Sequence, residues 1–126
     1  VPLASGLLTG KFSKDTVFGS ADHRSYNRNG EAFDKGETFS GVDYELGLQA
    51  VQELKDLFHT DKLAPYALRW ILMHDEVSAV IPGASKTSQL LSNVQAGELP
   101  PLTDEQMSGV REIYDRLIRP TVHDLW

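Results

Sequence analysis

The sequence predicts an α/β domain with its strands in a parallel arrangement, on three observations. Short apolar stretches closed by Pro or Gly alternate with longer segments whose apolar residues recur at helical spacing. The run Val77–Ile81 is apolar and stopped by Pro82, which suits a parallel strand buried on both faces. The segments around it carry their own helix start and stop signals. The order along the chain reads strand, long loop, two helices, strand, helix, helix. There is no internal repeat and no low-complexity tract.

Val1–Thr9 is apolar, punctuated by Pro2 and Gly6, and reads as a strand end followed by a tight loop. Lys11–Asp43 is polar, rich in Gly, Ser, Asn and charge, and without a period. A loop of that length is functional or disordered in a compact domain. Its aromatics, Phe18, Tyr26, Phe33 and Phe39, argue that parts of it dock, and at most short helical turns are expected. Asp43–His59 is the clearest helix. Leu46, Ala50, Leu54 and Leu57 recur at helical spacing, with Val51 and Phe58 beside them, and Asp43 is placed to cap the N-terminus.

A second helix begins at Pro65, where the missing N–H costs little. Tyr66, Ala67, Leu68, Trp70, Ile71 and Leu72 make it apolar nearly all round, so heavy burial is expected, and His74 to Glu76 close it. The predicted strand Val77–Ile81 follows. Thr87–Ala96 reads as a short helix on a stripe of Leu90, Leu91 and Val94, stopped by Gly97. Thr103 with Gln106 three residues on forms a capping-box pattern opening the last helix. Met107, Val110, Ile113, Tyr114, Leu117 and Ile118 line one face, and Pro120 is expected to end it. Trp126 either packs back or lies free.

The chain has 126 residues, 40% of them hydrophobic and 24% charged, an ordinary globular mixture able to bury a modest core. A net charge of −6 argues against a general nucleic-acid binder, which presents a basic face. Lys11, Lys14, Arg24 and Arg28 nevertheless lie close enough in sequence for a local phosphate site. Without cysteine there are no disulfides, thiol nucleophile or Cys-based zinc site. His59, His74 and His123 show no metal-ligand spacing, and no carboxylate pair suggests acid–base catalysis. No run of about 20 apolar residues suggests a membrane span, and no secretory signal pattern is present. A cytoplasmic location is expected. The chain opens at Val, and a processed, cleaved or partly observed piece is expected.

Two segments carry chemistry. Ala79 to Asn93 reads AVIPGASKTSQLLSN, an apolar run that breaks at Pro82-Gly83 and leads into a helix opened by Ser and Thr. Unpaired N–H groups and the helix dipole suit a phosphate there, and Lys86 adds a full charge. An ordinary β–α turn with Ser and Thr as caps explains the spacing equally. Val1 to Lys11 reads VPLASGLLTGK, which by itself is a Gly-containing strand-exit turn.

Together, in this order, the two segments resemble the last two cofactor loops of the aldo-keto reductases. The resemblance extends over essentially the whole chain and corresponds to the last third of such an enzyme. It implies the C-terminal portion of a (β/α)8 TIM barrel: about the last two β/α units plus the C-terminal helix, one partial oxidoreductase domain over residues 1–126 with a long cofactor-side loop at 11–43. A whole barrel takes ~250 residues, and a part of one leaves strand edges unpaired.

By resemblance the cofactor is NADP (NADPH), ahead of NAD. Gly83, Ser85 and Lys86 would sit near its 2′-phosphate, Gln89 near the same phosphate or ribose, and Asn93 at the adenine. Many members of the family have Lys or Arg in place of Gly83, Ser85 or Gln89, and Glu in place of Ser92. In the first loop Leu3, Ser5, Gly6 and Lys11 would wrap the pyrophosphate and ribose, with Pro2 shaping the turn. Asp22 to Ser25 resembles a segment whose Arg, here Arg24, contacts the diphosphate. On its own it is a solvated charged loop, and His23 is given no catalytic role.

The family's proton-donating Tyr, with its Lys, Asp and His, lies on earlier strands, and no segment here resembles their surroundings. The expected catalytic residues in this chain are therefore none, and the chain alone is expected not to reduce carbonyls. The intact enzyme would reduce aldehydes or ketones to alcohols, with a nicotinamide cofactor and a small carbonyl substrate as its partners. The alternative is a non-enzymatic nucleotide-sensing subunit, since potassium-channel β-subunits share the fold and the Gly-Ala-Ser…Gln-Leu…Asn pattern. Self-association through unpaired strand edges is a further expectation.

Overall fold

The computed structural model describes residues 1–125; Trp126 lies outside them, so its packing stands as read from sequence. The structure is organised around α2 (Tyr44–Phe58), the helix with the strongest sequence signal. Asp43 caps it, the carboxylate accepting from the Leu46 N–H at 3.0 Å. His59 ends it in the left-handed conformation at φ 51°. Tyr44, Gly47, Ala50, Val51 and Phe58 are its buried residues.

On one side α2 meets the 3-10 turn Ala4–Thr9, and Leu7, Phe39, Tyr44, Val51, Phe58, Leu63 and Leu102 form the main core. On the other side Ala50 packs on Ile113 and Leu117, which belong to α5 (Asp104–Ile113) and to the π-helical turn Tyr114–Ile118 that extends it. Two glycines permit these approaches. A Cβ on Gly47 would lie 2.6 Å from Leu7 Cδ2, and one on Gly109 would lie 2.8 Å from Leu57 Cδ1.

The other helices are α1 (His23–Tyr26), α3 (Ala64–Ile71), α4 (Thr87–Ala96) and α6 (Arg119–Val122). The long loop forms only α1 and the 3-10 turns Lys35–Glu37 and Phe39–Gly41, as its sequence predicts. Of its aromatics, Phe39 is buried and Phe18 packs against the core, while Tyr26 and Phe33 are exposed and meet each other edge to face.

Four expectations are corrected. No β-strand forms among the described residues. The predicted strand end at Val1–Thr9 is a 3-10 turn, and Val77–Ile81 is irregular, with Ile81 88% exposed. A strand is stabilised by a neighbour's N–H and C=O ladder, and no other segment described runs alongside to supply one. The α/β expectation is thus met only by its helices.

Second, α3 ends at Ile71 rather than at His74–Glu76 and buries only Leu68 fully. It packs chiefly on α4 and also on the 3-10 turn Ala4–Thr9, and Arg69 Nε donates to the Pro100 carbonyl at 3.3 Å. Third, α4 has the predicted bounds, yet Leu90, Leu91 and Val94 are all exposed. The face that touches α3 instead carries the fully buried Ala96.

Fourth, the last helix does not stop at Pro120. Its capping box forms as predicted, Gln106 N–H to Thr103 Oγ1 at 3.1 Å and Thr103 N–H to Gln106 Oε1 at 2.9 Å. The helix then widens into the π turn, in which the Arg119 N–H bonds the Tyr114 carbonyl. Pro120 falls in the first turn of α6, where an N–H is dispensable, and the widened turn relieves the clash that ends a regular helix.

Candidate cofactor-side site

The first predicted loop is held by its own backbone. The Leu3 carbonyl accepts from the N–H groups of Gly6 at 2.9 Å and Leu8 at 3.2 Å. Thr9 Oγ1 closes the turn on the Gly6 carbonyl at 2.7 Å. Ala4 and Ser5 take left-handed angles, φ 46° and 55°, which cost a residue with a Cβ. Phe39 and Ser40 do the same at φ 51° and 57°. A hydrogen bond couples these two strained pairs across the chain: Ser5 Oγ accepts from the Phe39 N–H at 3.1 Å.

Arg24 reaches the same loop. Its Nη1 donates to the Ser5 carbonyl at 3.1 Å. Asp22 holds the other edge of the guanidinium, Oδ1 accepting from Nε at 2.9 Å and Oδ2 from Nη2 at 2.6 Å. Oδ1 also caps α1 by accepting the Arg24 N–H at 2.9 Å. Bonding to Arg24 holds the Asp22 carboxyl down at about 2 and raises the arginine in turn. The guanidinium carbon lies 4.6 Å from the Phe18 ring centroid and 5.5 Å from that of Phe12. Gly6 takes φ 91°, which favours glycine, and a Cβ there would press on Phe12 at 3.2 Å.

The structure therefore brings Ser5, Gly6 and Arg24 together, with Leu3 one turn away and Pro2 half-buried beside it. Lys11 is exposed at the edge of the loop. The second predicted loop stands apart from the first, and no hydrogen bond among the described residues joins them. Gly83, Ser85 and Lys86 are exposed. Ser85 donates to Gln89 Oε1 from its N–H at 2.7 Å and from its hydroxyl at 3.1 Å. Lys86 precedes α4 with extended backbone angles. Asn93 Nδ2 is buried without a partner, as is His74 Nε2. A buried amide donor left unpaired is costly.

Sequence reasoning named Arg28 only as one of four nearby cations and missed both its contacts and the buried pair Asn27 and Thr38. Arg28, four residues after Arg24, bonds the Arg24 carbonyl through Nε at 3.2 Å and lies 4.5 Å from the Tyr44 ring centroid. The i, i+4 spacing of the two arginines was the available signal. Asn27 and Thr38 are fully buried and pin the long loop, and nothing in a polar, aperiodic stretch distinguishes them. An open groove lined by Phe12, Lys14 and one side of α2 contains none of the residues predicted to hold the cofactor.

A model of the Aldo/keto reductase family matches residues 1–115. The chain belongs to that family. Its relatives include L-glyceraldehyde 3-phosphate reductase of Escherichia coli strain K12, 36% identical over 97 residues, or 75% of this chain and 26% of that protein. The protein named Probable voltage-gated potassium channel subunit beta of Oryza sativa subsp. japonica is 34% identical over 115 residues, 89% of this chain and 33% of its own length. Its namesake from Arabidopsis thaliana is 31% identical over 109 residues, 80% and 29% respectively. The chain spans about a quarter to a third of the length of these relatives. No solved structure matches it.

Among the described residues no helix is long and apolar enough to cross a membrane, and no group of three or more His, Cys, Asp or Glu could hold a metal.

Proposed function

We propose that this chain is the cofactor-holding segment of an NADPH-dependent aldo-keto reductase that converts aldehydes or ketones to alcohols. The observation that carries the reading is the convergence of Arg24 on the Ser5–Gly6 turn, two segments 19 residues apart joined by a direct hydrogen bond. A planar cation beside a half-buried, Gly-containing turn is suited to a diphosphate. On this reading Pro2, Leu3, Ser5, Gly6 and Lys11 form one wall of the site. Gly83, Ser85, Lys86, Gln89 and Asn93 hold the adenosine end, and the orphaned Asn93 amide supplies a donor for the adenine edge. When bound, the cofactor supplies hydride to the carbonyl carbon. The residues described here bind and orient it, and the proton donor lies outside them. We place the intact protein in the cytoplasm as a (β/α)8 barrel, to which Val77–Ile81 contributes a strand once neighbours flank it.

NADPH titration followed by fluorescence tests binding. Saturable binding weakened by Arg24→Met and by Lys86→Met is the expected result, and binding indifferent to both overturns the reading. Purified chain free of longer protein is expected to show no NADPH-dependent carbonyl reduction, and turnover would refute its assignment as a non-catalytic segment. The match over 89% of the chain to a protein named as a channel β-subunit favours one second reading, a nucleotide-sensing regulatory subunit. Specific co-purification with a channel's cytoplasmic domain, with no carbonyl turnover by the intact protein, would establish it over the first.

A further inference from the structure

Arg24 has five N–H donors, and three are engaged within the chain: Nε and Nη2 on Asp22 and Nη1 on the Ser5 carbonyl. The edge held by Asp22 is the side-by-side pair of donors that best matches two oxygens of one phosphate. Phe18 and Phe12 cover the guanidinium, which fixes its plane, so a ligand must come to this edge or to the single remaining hydrogens. Asp22 and Arg24 are each about one-quarter exposed, so the pair is within reach of a solute. The low titration of Asp22 keeps it anionic at neutral pH.

Two anions cannot share one edge of one guanidinium without repulsion. We propose that Asp22 is an internal stand-in for a ligand phosphate: its carboxylate occupies the Arg24 edge in the empty protein, and a diphosphate binds by displacing it. Asp22 lies in a turn whose N–H bonds the Gly19 carbonyl at 2.9 Å, and a Cβ on Gly19 would meet nothing within 4 Å. The Asp22 carboxylate is itself about one-quarter exposed, so it can rotate toward solvent. His23 Nδ1, 3.7 Å from Asp22 Oδ1, is placed to receive it. The pair keeps Arg24 folded onto its loop without a ligand and makes affinity for a diphosphate weaker than the bare arginine would give. The inference rests on the reading of Arg24 as a diphosphate contact.

The test is calorimetric titration of the purified protein with pyrophosphate, comparing wild type, Asp22→Asn, Asp22→Ser and Arg24→Met. Asn and Ser both remain good helix caps, so the fold is retained, and circular dichroism verifies it. If either variant fails to fold, the other carries the comparison. Both are expected to bind pyrophosphate about three- to tenfold more tightly than wild type, from removing one partly screened like charge. Arg24→Met is expected to abolish the binding. If Arg24→Met weakens binding while neither Asp22 variant strengthens it, the proposal is overturned and the reading of Arg24 survives. Pyrophosphate binding unaffected by Arg24→Met, or absent from every variant, overturns both.

Discussion

The amide of Asn27 lies fully buried within a polar loop and meets four partners. Its Oδ1 accepts from the N–H groups of Ala32 and Phe33, each at 2.8 Å. Its Nδ2 donates to Thr38 Oγ1 at 3.3 Å and to the Asp34 carbonyl at 3.5 Å. Asn27→Ala strands two backbone donors and is expected to cost about 2–4 kcal/mol, read from urea unfolding. Asn27→Asp keeps the acceptors but buries a charge and turns an oxygen toward the Asp34 carbonyl, so its cost should be no smaller.

Asp22 shows a residue-scale effect of pH. Its folded value near 2 lies below the ordinary 3.8, so the pair with Arg24 stabilises the fold above 3.8. That stabilisation is lost as pH falls through about 2. Thermal melts of wild type and Asp22→Asn over this window should converge at the acid end, and curves that stay parallel would count against the pair.

At the scale of elements, α2 decides how closely everything else approaches. Gly47→Ala places a methyl 2.6 Å from Leu7 Cδ2, and the expected cost is about 1–3 kcal/mol of overpacking, despite alanine's better helix propensity. A rise in melting temperature would show that Leu7 gives way freely. Thr103→Ala removes one half of the capping box on α5 and should cost about 1 kcal/mol, with Thr103→Ser close to neutral. These helices were legible because amphipathic period and caps are local properties: Asp43, Thr103 and Gln106 each act on backbone within one turn. The passage through Pro120 was not legible. It depends on a π turn whose Leu117 and Ile118 pack against α2 residues far away in sequence.

For the whole molecule, the telling feature is an apolar surface with nothing over it: Ile81, Leu90, Leu91 and Val94. Leu90, Leu91 and Val94 lie on one helix, and an exposed apolar stripe of this kind marks an interface. We expect the chain by itself to self-associate through this region. Circular dichroism should then depend on concentration, and Leu91→Lys with Val94→Lys should abolish that dependence. Identical spectra over a hundredfold dilution would contradict the expectation. The three exposed helix residues form a stripe that the sequence marks clearly as apolar, while what covers it is not written in this segment.

The sequence by itself determined where α2, α4 and α5 begin, the caps at Asp43 and Thr103, and the family, because each rests on residues close together in the chain or on motifs read in order. The two segments Val1–Lys11 and Ala79–Asn93 were legible as motifs for the same reason. Only the tertiary structure decided that Arg24 folds onto Ser5, that Asp22 already holds its guanidinium, and that Asn27 anchors the loop. These contacts depend on a particular path of an aperiodic chain. It likewise decided that Val77–Ile81 stays irregular among the described residues. An apolar run encodes the tendency to be a strand, but the hydrogen bonds that make it one belong to its neighbours.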